Sequence, residues 1–314
     1  MSLDRLPQID YGRHPAYQCE PDPVRGQRAA EQLALLVEQV TEIEAHRVAT
    51  FGYRYGAQSD DGRTLLADGA VQFQLSAPVV VELTAQAAPL VAALRERMDA
   101  AWGRGDVPIF ADRMAKASPD LHAPFWAAVD RAMREIGAFD LTAAFFSAKA
   151  AKLQNMGILI STPQDKESLR LAETPAAGLH VDSSGKCILK AVLYLSDVSP
   201  EQGPFGVVPG SHRWDPGSTE RIHRRAFDRS DLKGRSPGSL RTFVSLPAHM
   251  QVKAEFGADL LPEWDETQAL LIAERAALGP PGLVSLFDPE AVHRGGLVTS
   301  GERCAVLITM SAIY

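Results

Sequence analysis

Apolar residues recur every three or four positions through much of the first 150 residues, which predicts amphipathic helices. Three predicted helices each have one apolar face. The first face consists of Leu33, Leu36, Val37, Val40 and Ile43, the second of Leu90, Leu94, Met98 and Trp102, and the third of Leu121, Phe125, Val129, Met133 and Ile136. Ser118 and Pro119 precede the third face and predict its N-cap and first helical position. Between the first two helices, residues 71–75 and 79–83 have the pattern of a pair of strands.

From about residue 154 the pattern changes to short β-rich runs separated by Pro-Gly and Gly-Gly dipeptides. The runs are MGILIS, CILKAVLYL, FGVV, GLVSLF and CAVLITMSAIY. Residues 214–278 interrupt them with a polar, arginine-rich stretch and then a helical segment over 266–278, which predicts a functional insertion over a sheet. We predict one domain over residues 1–314: a mainly helical support (1–150) and a β core (151–314) with an insertion at about 214–280.

Composition narrows the class of protein. With 314 residues, 46% hydrophobic and 23% charged, the chain can bury a full core, which excludes disorder as its main state. A net charge of −7 argues against a nucleic-acid partner, because phosphate binding needs clustered cationic charge. The three cysteines form no CxxC pair and favour a reducing cytoplasm over a disulfide framework or a thiolate zinc site. The N-terminus MSLDRLPQIDYG lacks the apolar stretch of a signal peptide, and no apolar run approaches the ~20 residues of a membrane span, so we expect no membrane partner.

Candidate metal ligands stand at the ends of two predicted strands. His180 and Asp182 are two residues apart, so on an extended strand end both side chains point to one face. His293 follows 113 residues after His180, at the end of the run GLVSLF. Two imidazoles and one carboxylate make the facial triad that holds non-haem Fe(II) and leaves the opposite face open. Arg303 opens an apolar strand ten residues later, where a buried guanidinium needs an anionic partner.

These residues lie in the segments GLHVD, AVLYLSDVSPEQGPFGVVPGSHRW and GLVSLFDPEAVHRGGLVTSGERCAVLI. Together the segments resemble the phytanoyl-CoA dioxygenase-like family of Fe(II)/2-oxoglutarate-dependent oxygenases, over roughly residues 150–314. The resemblance implies a mainly β fold with flanking helices: a double-stranded β-helix, that is, a cupin-like jelly-roll of two facing sheets with an N-terminal helical buttress. It also implies that His180, Asp182 and His293 bind iron, that Arg303 pairs with the far carboxylate of 2-oxoglutarate, and that O2 is the other co-substrate.

Asp182 bears on the type of reaction. Family members that halogenate replace this carboxylate with a small residue, so its presence favours hydroxylation of a small molecule, with release of succinate and CO2. Val181 stands where the family often has tryptophan or glutamine, and the link from His212 to His293 is longer than the family's usual one. Both departures leave the iron chemistry intact and the substrate open. The alternatives are a cupin-like metalloenzyme that does not use 2-oxoglutarate, which has little use for Arg303, and a non-catalytic jelly-roll that binds a ligand.

Further residues are candidates for co-substrate or substrate contacts. Lys190, Val192 and Tyr194 share one face of the strand CILKAVLYL. If that face looks into the barrel, Val192 and Tyr194 line the co-substrate pocket and Lys190 reaches a carboxylate; otherwise Lys190 is an ordinary solvated lysine. Tyr194 is also a candidate substrate contact. Asn155 either hydrogen-bonds 2-oxoglutarate, as an amide on this strand often does in the resembling family, or caps the strand backbone. We interpret His212, in the turn PGSH, as structural.

The first part of the insertion carries the opposite charge from the chain as a whole. Residues 214–241 hold seven Lys or Arg and four Asp or Glu, a local charge of +3. This asymmetry predicts a lid that folds over the open iron face, with arginines, Arg224 and Arg225 in particular, that recognise an anionic substrate. The alternative is a solvated loop whose arginines pair with its own acids. The sequence leaves the oligomeric state open.

Overall fold

Two antiparallel sheets and the helices around them form the described part of the chain. This computed structural model describes residues 11–51, 59–163, 178–182, 187–212, 222–223, 226–227, 229–230, 237–251, 261 and 263–314. Its helices are α1 (Pro23–Phe51), α2 (Asp60–Asp68), α3 (Ala77–Gly103), α4 (Phe110–Arg113), α5 (Ala123–Glu135), α6 (Ala138–Phe145), α7 (Pro237–Ser245) and α8 (Asp265–Ala273). Its strands are β1 (Ala70–Gln74), β2 (Met114–Ala117), β3 (Ala150–Ser161), β4 (Ile188–Tyr194), β5 (Phe205–Val207), β6 (Arg275–Ala276), β7 (Leu283–Phe287), β8 (His293–Gly295) and β9 (Arg303–Ile313).

The strands form a jelly-roll. The larger sheet has the order β1-β7-β4-β9-β3-β2 and the smaller has the order β6-β5-β8, and the pairings between these strands are antiparallel. His180 extends the smaller sheet, because it forms an antiparallel bridge with His293 of β8. The predicted double-stranded β-helix is therefore confirmed. Helices flank it as expected, and they occupy more of the described residues than the strands do.

The two faces of the larger sheet have different partners. On the outer face, residues such as Leu193 and Ile308 pack with side chains of α2, α3, α5 and α6 in the main hydrophobic core. On the inner face, Val192 and Tyr194 of β4 pack with Phe205 of β5 in a second apolar cluster between the sheets. Because side chains alternate along a strand, Lys190 shares this inner face. Of the two possible orientations of β4, the inward one is therefore correct.

The described part of the insertion is packed against other elements. An apolar cluster joins the insertion to α1. It contains Phe227, Phe243 and Leu246 of the insertion and Leu33 and Val40 of α1. The helix α8 packs behind the segments that carry the candidate ligands, as described below. Arg224 and Arg225 lie outside the described residues, so the lid stays a prediction.

Residues 79–83 are helical, and the prediction of a strand there is wrong. They lie near the start of α3, whose N-cap is Ser76 and whose first turn contains Pro78. Proline suits that position because its fixed φ is helical and its missing amide has no partner in the first turn. The strand at residues 71–75 is confirmed, with bounds one residue earlier, and it pairs with β7.

Two helix boundaries also differ from the prediction. The third helix, α5, begins at Ala123 with Pro124 in its first turn, and Leu121 before it is 81% exposed. Ser118 instead accepts a hydrogen bond from the Leu121 amide in the preceding turn. The helix predicted over 266–278 ends at Ala273, because the chain then extends to pair with β5.

The helix α3 is long and apolar enough to cross a membrane, with a mean hydropathy of 1.6 over 18 residues. This helix has no continuous apolar run, because polar residues such as Glu82 and Gln86 interrupt its apolar ones. Its buried residues include Leu83, Leu94 and Met98, which face the main core. Only 17% of the 18-residue window is buried in the structure.

Candidate active site

His180 and His293 lie side by side on neighbouring segments of the smaller sheet. The His180 amide donates to the His293 carbonyl at 2.8 Å, and the His293 amide donates back to the His180 carbonyl at 2.9 Å. Directly opposed residues of an antiparallel pair place their side chains on the same face, and the two imidazole centroids are 4.3 Å apart. The Asp182 amide donates to the Pro289 carbonyl at 3.0 Å, which ties the aspartate to the loop before β8.

The three candidate metal ligands converge. One ligand atom from each of His180, Asp182 and His293 lies within 4.8 Å of the other two. Asp182 Oδ2 is 3.3 Å from His293 Nε2, and Asp182 Oδ1 is 3.9 Å from His180 Nε2. The expectation that His180 and Asp182 share a face is confirmed, and the distal histidine joins them.

Backbone carbonyls orient both imidazoles. His180 Nδ1 lies 2.8 Å from the Gly178 carbonyl oxygen, and His293 Nδ1 lies 2.8 Å from the Ala291 carbonyl oxygen. A carbonyl oxygen only accepts, so each Nδ1 carries the proton and each Nε2 presents a lone pair. This is the arrangement found for metal-ligating histidines, whose second nitrogen donates to a fixed acceptor.

The environment favours the protonation states that a metal requires. Burial, and then the neighbouring His293, lowers the pKa of His180 to about 4, so this imidazole is neutral near pH 7. Burial alone would raise the pKa of Asp182. The close contact with His293 and the positive charge of Lys190 outweigh burial and hold that pKa well below its usual value.

Lys190 joins the ligand group through Asp182. Its Nζ donates to Asp182 Oδ2 at 2.7 Å. On the sheet, Lys190 is the cross-strand neighbour of Thr309, which lies six residues from Arg303 along β9. At ~3.3 Å per residue this separates Lys190 from Arg303 by about 20 Å along the strand. Lys190 therefore belongs to the metal end of the pocket and not to the end that contains Arg303.

Arg303 is a buried cation with neutral partners. The residue is 6% exposed, and its guanidinium donates to Ser161 Oγ at 3.2 Å and to the Gly296 carbonyl at 3.4 Å. No carboxylate in the described part of the chain forms an ion pair with it. Desolvation lowers its pKa, which the nearby Tyr194 only partly offsets. A guanidinium held in this way can accept an anionic ligand.

Sequence reasoning did not single out Ser161 or Gly296, which hold Arg303. Ser161 is the last residue of the run MGILIS and the cross-strand partner of Arg303. The sequence contains a signal for Ser161, because a polar residue at the end of an apolar strand can hydrogen-bond a buried arginine on the neighbouring strand. Finding it would have required the register of β3 against β9.

Val192 and Tyr194, the other candidates on β4, are both buried between the sheets. Val192 is buried on the inner face, between Lys190 and Tyr194. Tyr194 is 1% exposed, and its hydroxyl accepts from the Phe205 amide at 2.8 Å and donates to the Ala277 carbonyl at 3.1 Å. The hydroxyl therefore joins the two sheets, and the assignment of Tyr194 as a substrate contact stays a prediction.

Asn155 is exposed and stands opposite Thr309, just after a bulge in β3. It lies six residues from Ser161, so the structure does not bring it near Arg303. His212 has the structural place expected of it. Its Nε2 lies 3.1 Å from the Leu66 carbonyl, and a Cβ on Gly69 would lie 2.6 Å from its Nδ1.

An apolar cluster supports the ligand segments from behind. Leu179 and Val181 flank His180, Val292 precedes His293, and all three are buried against Val208 and Leu270 of α8. The N-terminal segment contributes to the same support: Arg13 forms an ion pair with Glu266 and stacks over Trp264, with 4.1 Å from its guanidinium carbon to the ring centroid. Sequence reasoning missed this cluster, since α8 is distant in sequence from both ligand segments.

An ion pair supports the ligand strand next to His293. Arg294 donates through Nε and Nη2 to both carboxylate oxygens of Glu274, at 2.7 and 2.6 Å. Such a bidentate pair fixes geometry as well as charge. Gly206, opposite Arg294 on β5, has no Cβ, and the Glu274 carboxylate occupies that space.

Comparison with known proteins identifies the family of the chain. The family described as phytanoyl-CoA dioxygenase (PhyH) matches residues 79–305. The chain therefore belongs to the phytanoyl-CoA dioxygenase family and is a non-haem Fe(II)/2-oxoglutarate-dependent oxygenase. Iron and 2-oxoglutarate are its cofactors, and two imidazoles with one carboxylate are suitable donors for the metal. No curated protein matches the chain.

Several solved structures match this chain at low sequence identity. EctD from S. alaskensis, solved with 2-oxoglutarate and 5-hydroxyectoine, is 15% identical with a TM-score of 0.45, over 83% of this chain and 80% of that one. SnoK, an alpha-ketoglutarate-dependent carbocyclase from nogalamycin biosynthesis, is 17% identical with a TM-score of 0.46, over 82% and 85%. AviO1 from Streptomyces viridochromogenes Tue57 is 14% identical with a TM-score of 0.43, over 80% and 93%. Similarity at this level leaves the substrate of this chain open.

Proposed function

We propose that this oxygenase hydroxylates a small molecule and that His180, Asp182 and His293 bind its iron. The observation that carries the assignment is the fixed orientation of both imidazoles. Each Nδ1 is held by a backbone carbonyl, so both Nε2 atoms are directed toward Asp182. Bound iron with 2-oxoglutarate supplies the oxidising power to use O2 on a C–H bond, and succinate and CO2 are the co-products.

Arg303 is the proposed anchor for the far carboxylate of 2-oxoglutarate. Its buried guanidinium has neutral partners, so an incoming carboxylate would supply the missing negative charge. Gly296, which it contacts, lies three residues after His293, about 10 Å at ~3.3 Å per residue. A five-carbon dicarboxylate that is bound to the metal at one end can bridge a gap of this size. This charge requirement favours 2-oxoglutarate dependence over the cupin-like alternative.

Val192 has a part in the same proposal. It lies with Phe205, Val207 and Phe287 in the apolar layer between the sheets. Apolar walls exclude water from the space between Arg303 and the metal ligands, and electrostatic interactions are stronger where water is excluded. We propose Val192 as a wall of the co-substrate pocket. Lys190 acts at the metal end. Asn155 is exposed and stands opposite the same Thr309 as Lys190, so its predicted contact with 2-oxoglutarate would also lie at the metal end and not at Arg303.

The charge of residues 214–241 bears on the substrate. We propose that the substrate is anionic, because this part of the insertion carries a local charge of +3 in a chain of −7. Arg224 and Arg225, which lie outside the described residues, would recognise it as part of a lid. Reversing both charges should raise the substrate KM strongly and leave the uncoupled turnover of 2-oxoglutarate in place. A KM that is indifferent to both the reversal and the ionic strength would remove the electrostatic role.

The cellular location rests on the thiols. Cys19, Cys187 and Cys304 are all free, which supports the cytoplasm as the proposed compartment. Fractionation of the native cell, with antibody detection of the chain, tests this; recovery in a membrane or exported fraction would contradict it.

The central experiment measures succinate formed from 2-oxoglutarate with Fe(II), O2 and a panel of small anionic metabolites. The wild-type protein should form succinate, and a substrate in the panel should raise the rate and gain one oxygen atom by mass. His180→Ala and His293→Ala should lose both iron and turnover. His249→Ala is the matched control, because this histidine is exposed on the insertion. A protein that folds but takes up no iron after anaerobic reconstitution would instead be the non-catalytic jelly-roll.

A further inference from the structure

Lys190 brings a positive charge to the metal centre that iron ligation does not require. Its ammonium is 2.7 Å from Asp182 Oδ2, and the same oxygen is 3.3 Å from His293 Nε2. The ammonium therefore contacts the carboxylate that a metal at this site would also use. Two cations that share one carboxylate repel each other at close range, and the repulsion is stronger where water is partly excluded.

The sheet directs Lys190 toward the ligands. Its cross-strand neighbours are Thr309 on one side and Phe287 on the other, and both are buried. Phe287 also packs on the His293 ring, with centroids 4.8 Å apart. The lysine side chain is nevertheless 33% exposed, so its ammonium has an open side from which a second anionic group can approach.

The charges of the pocket are unbalanced once a divalent metal is bound. Iron, Lys190 and Arg303 are positive, whereas Asp182 is the carboxylate in the ligand group. 2-Oxoglutarate is a dianion and restores the balance. Its far carboxylate pairs with Arg303 in the proposed function, and its carboxylate at the metal end is then within the region of Asp182, where it is the second partner for Lys190.

We propose that Lys190 makes metal binding depend on the co-substrate: it competes with the metal for Asp182 until 2-oxoglutarate binds and then pairs with the co-substrate carboxylate at the metal end. The inference rests on the proposed function of the same site. Without 2-oxoglutarate, the ammonium weakens metal binding. With it, the ammonium gains a new anionic partner and the penalty disappears. Thermodynamic linkage requires that the metal strengthen 2-oxoglutarate binding by the same factor.

Calorimetric titration of Co(II), with and without 2-oxoglutarate, tests this without any turnover. For Lys190→Met we expect Co(II) alone to bind at least ~10-fold more tightly than in the wild type, because the competing charge is gone. The factor by which 2-oxoglutarate improves Co(II) binding should shrink at least ~10-fold. Lys190→Arg, which keeps the charge, should retain most of the wild-type coupling. Lys116→Met is the matched control, because Lys116 is exposed on the edge strand β2.

The results for Lys190→Met distinguish this proposal from its alternatives. Unchanged or weaker Co(II) binding by Lys190→Met would overturn the proposal, and weaker binding would mean that the lysine supports Asp182 in its ligating position. If that variant does not fold, Lys190→Gln carries the same expectation and keeps a polar contact to Asp182. The Co(II) absorption bands should match those of the wild type, since the ligand set is retained. Failure of the proposed function looks different: the wild type then binds no Co(II), or His293→Ala binds it equally well.

Discussion

The backbones of His180 and His293 hydrogen-bond to each other in both directions, at 2.8 and 2.9 Å, although the residues are 113 positions apart. The spacing of the two imidazoles is therefore set by sheet pairing before any metal arrives. A site that is organised in this way spends little of its metal-binding free energy on ordering the ligands.

Asp182→Gly should abolish hydroxylation, because the two histidines alone do not define a facial site and the variant gains an extra open metal position. We expect metal affinity to fall and coupled succinate formation to be lost. Calorimetry with Co(II) and a succinate assay measure the two effects. Asp106→Gly, in an exposed loop, is the control. Hydroxylation at the wild-type rate by Asp182→Gly would show that this carboxylate is not a ligand.

Arg303→Leu should weaken 2-oxoglutarate binding by at least ~2 kcal/mol, because the far carboxylate would be buried without a cation. Metal binding should survive, since Arg303 contacts Ser161 and Gly296 and none of the ligands. The metal-to-ligand absorption band, followed during titration of 2-oxoglutarate into anaerobic iron-loaded protein, reports the affinity. Arg303→Lys should recover part of it. An unchanged affinity would place the anchor elsewhere.

Tyr194→Phe should destabilise the fold by ~1–3 kcal/mol, because the buried Phe205 amide loses its acceptor. The affinity of the metal-loaded protein for 2-oxoglutarate should stay the same. Urea unfolding measures the first quantity and calorimetry the second. Tyr314→Phe is the control, since Tyr314 is 43% exposed at the end of the chain. A large loss of 2-oxoglutarate affinity at unchanged stability would make Tyr194 a ligand contact after all.

Cys304 should resist thiol reagents at pH 8 in the folded protein. Burial, aided by Glu302, raises its pKa to about 12, so the reactive thiolate is scarce. Mass spectrometry after alkylation should show Cys304 modified only when denaturant is added. This pKa difference makes the free energy of unfolding depend on pH. From about pH 9 upward the thiol ionises in the unfolded chain but not in the folded one, so the free energy of unfolding falls by roughly 1.4 kcal/mol per pH unit. Cys304→Ala should lack this slope, and rapid labelling of native Cys304 would contradict the burial.

The strands and the ligand residues were predictable because their signals are local. The run CILKAVLYL alternates as a strand should, and the spacing of His180 and Asp182 fixes a common face. The prediction for residues 79–83 was wrong because the run VVVEL begins with three β-branched valines, which favour strands. The preceding Ser-Ala-Pro instead begins a helix whose apolar side packs on the sheet. Tertiary packing overrode local propensity there.

The contacts of the inner face were not predictable in the same way. Whether Lys190 faces the barrel depends on how β4 is packed, and its pairing with Asp182 depends on where the ligand segment crosses. The hydrogen bonds of the Tyr194 hydroxyl depend on the position of β5, and the residues near Tyr194 in the sequence do not predict that position. Sequence spacing orders residues along a strand, but contacts between sheets depend on the fold as a whole.

The cluster of Leu179, Val181, Val292, Val208 and Leu270 packs behind the candidate ligands. In the sequence His-Val-Asp, the two polar residues bring their ligand atoms together with that of His293, and the valine between them packs in the cluster with Leu270 of α8. The support for the proposed ligands thus comes from buried residues other than the ligands themselves. Substitutions around the mouth can therefore accumulate without loosening the metal ligands, so new substrate preferences can evolve, or be engineered, on an unaltered catalytic base.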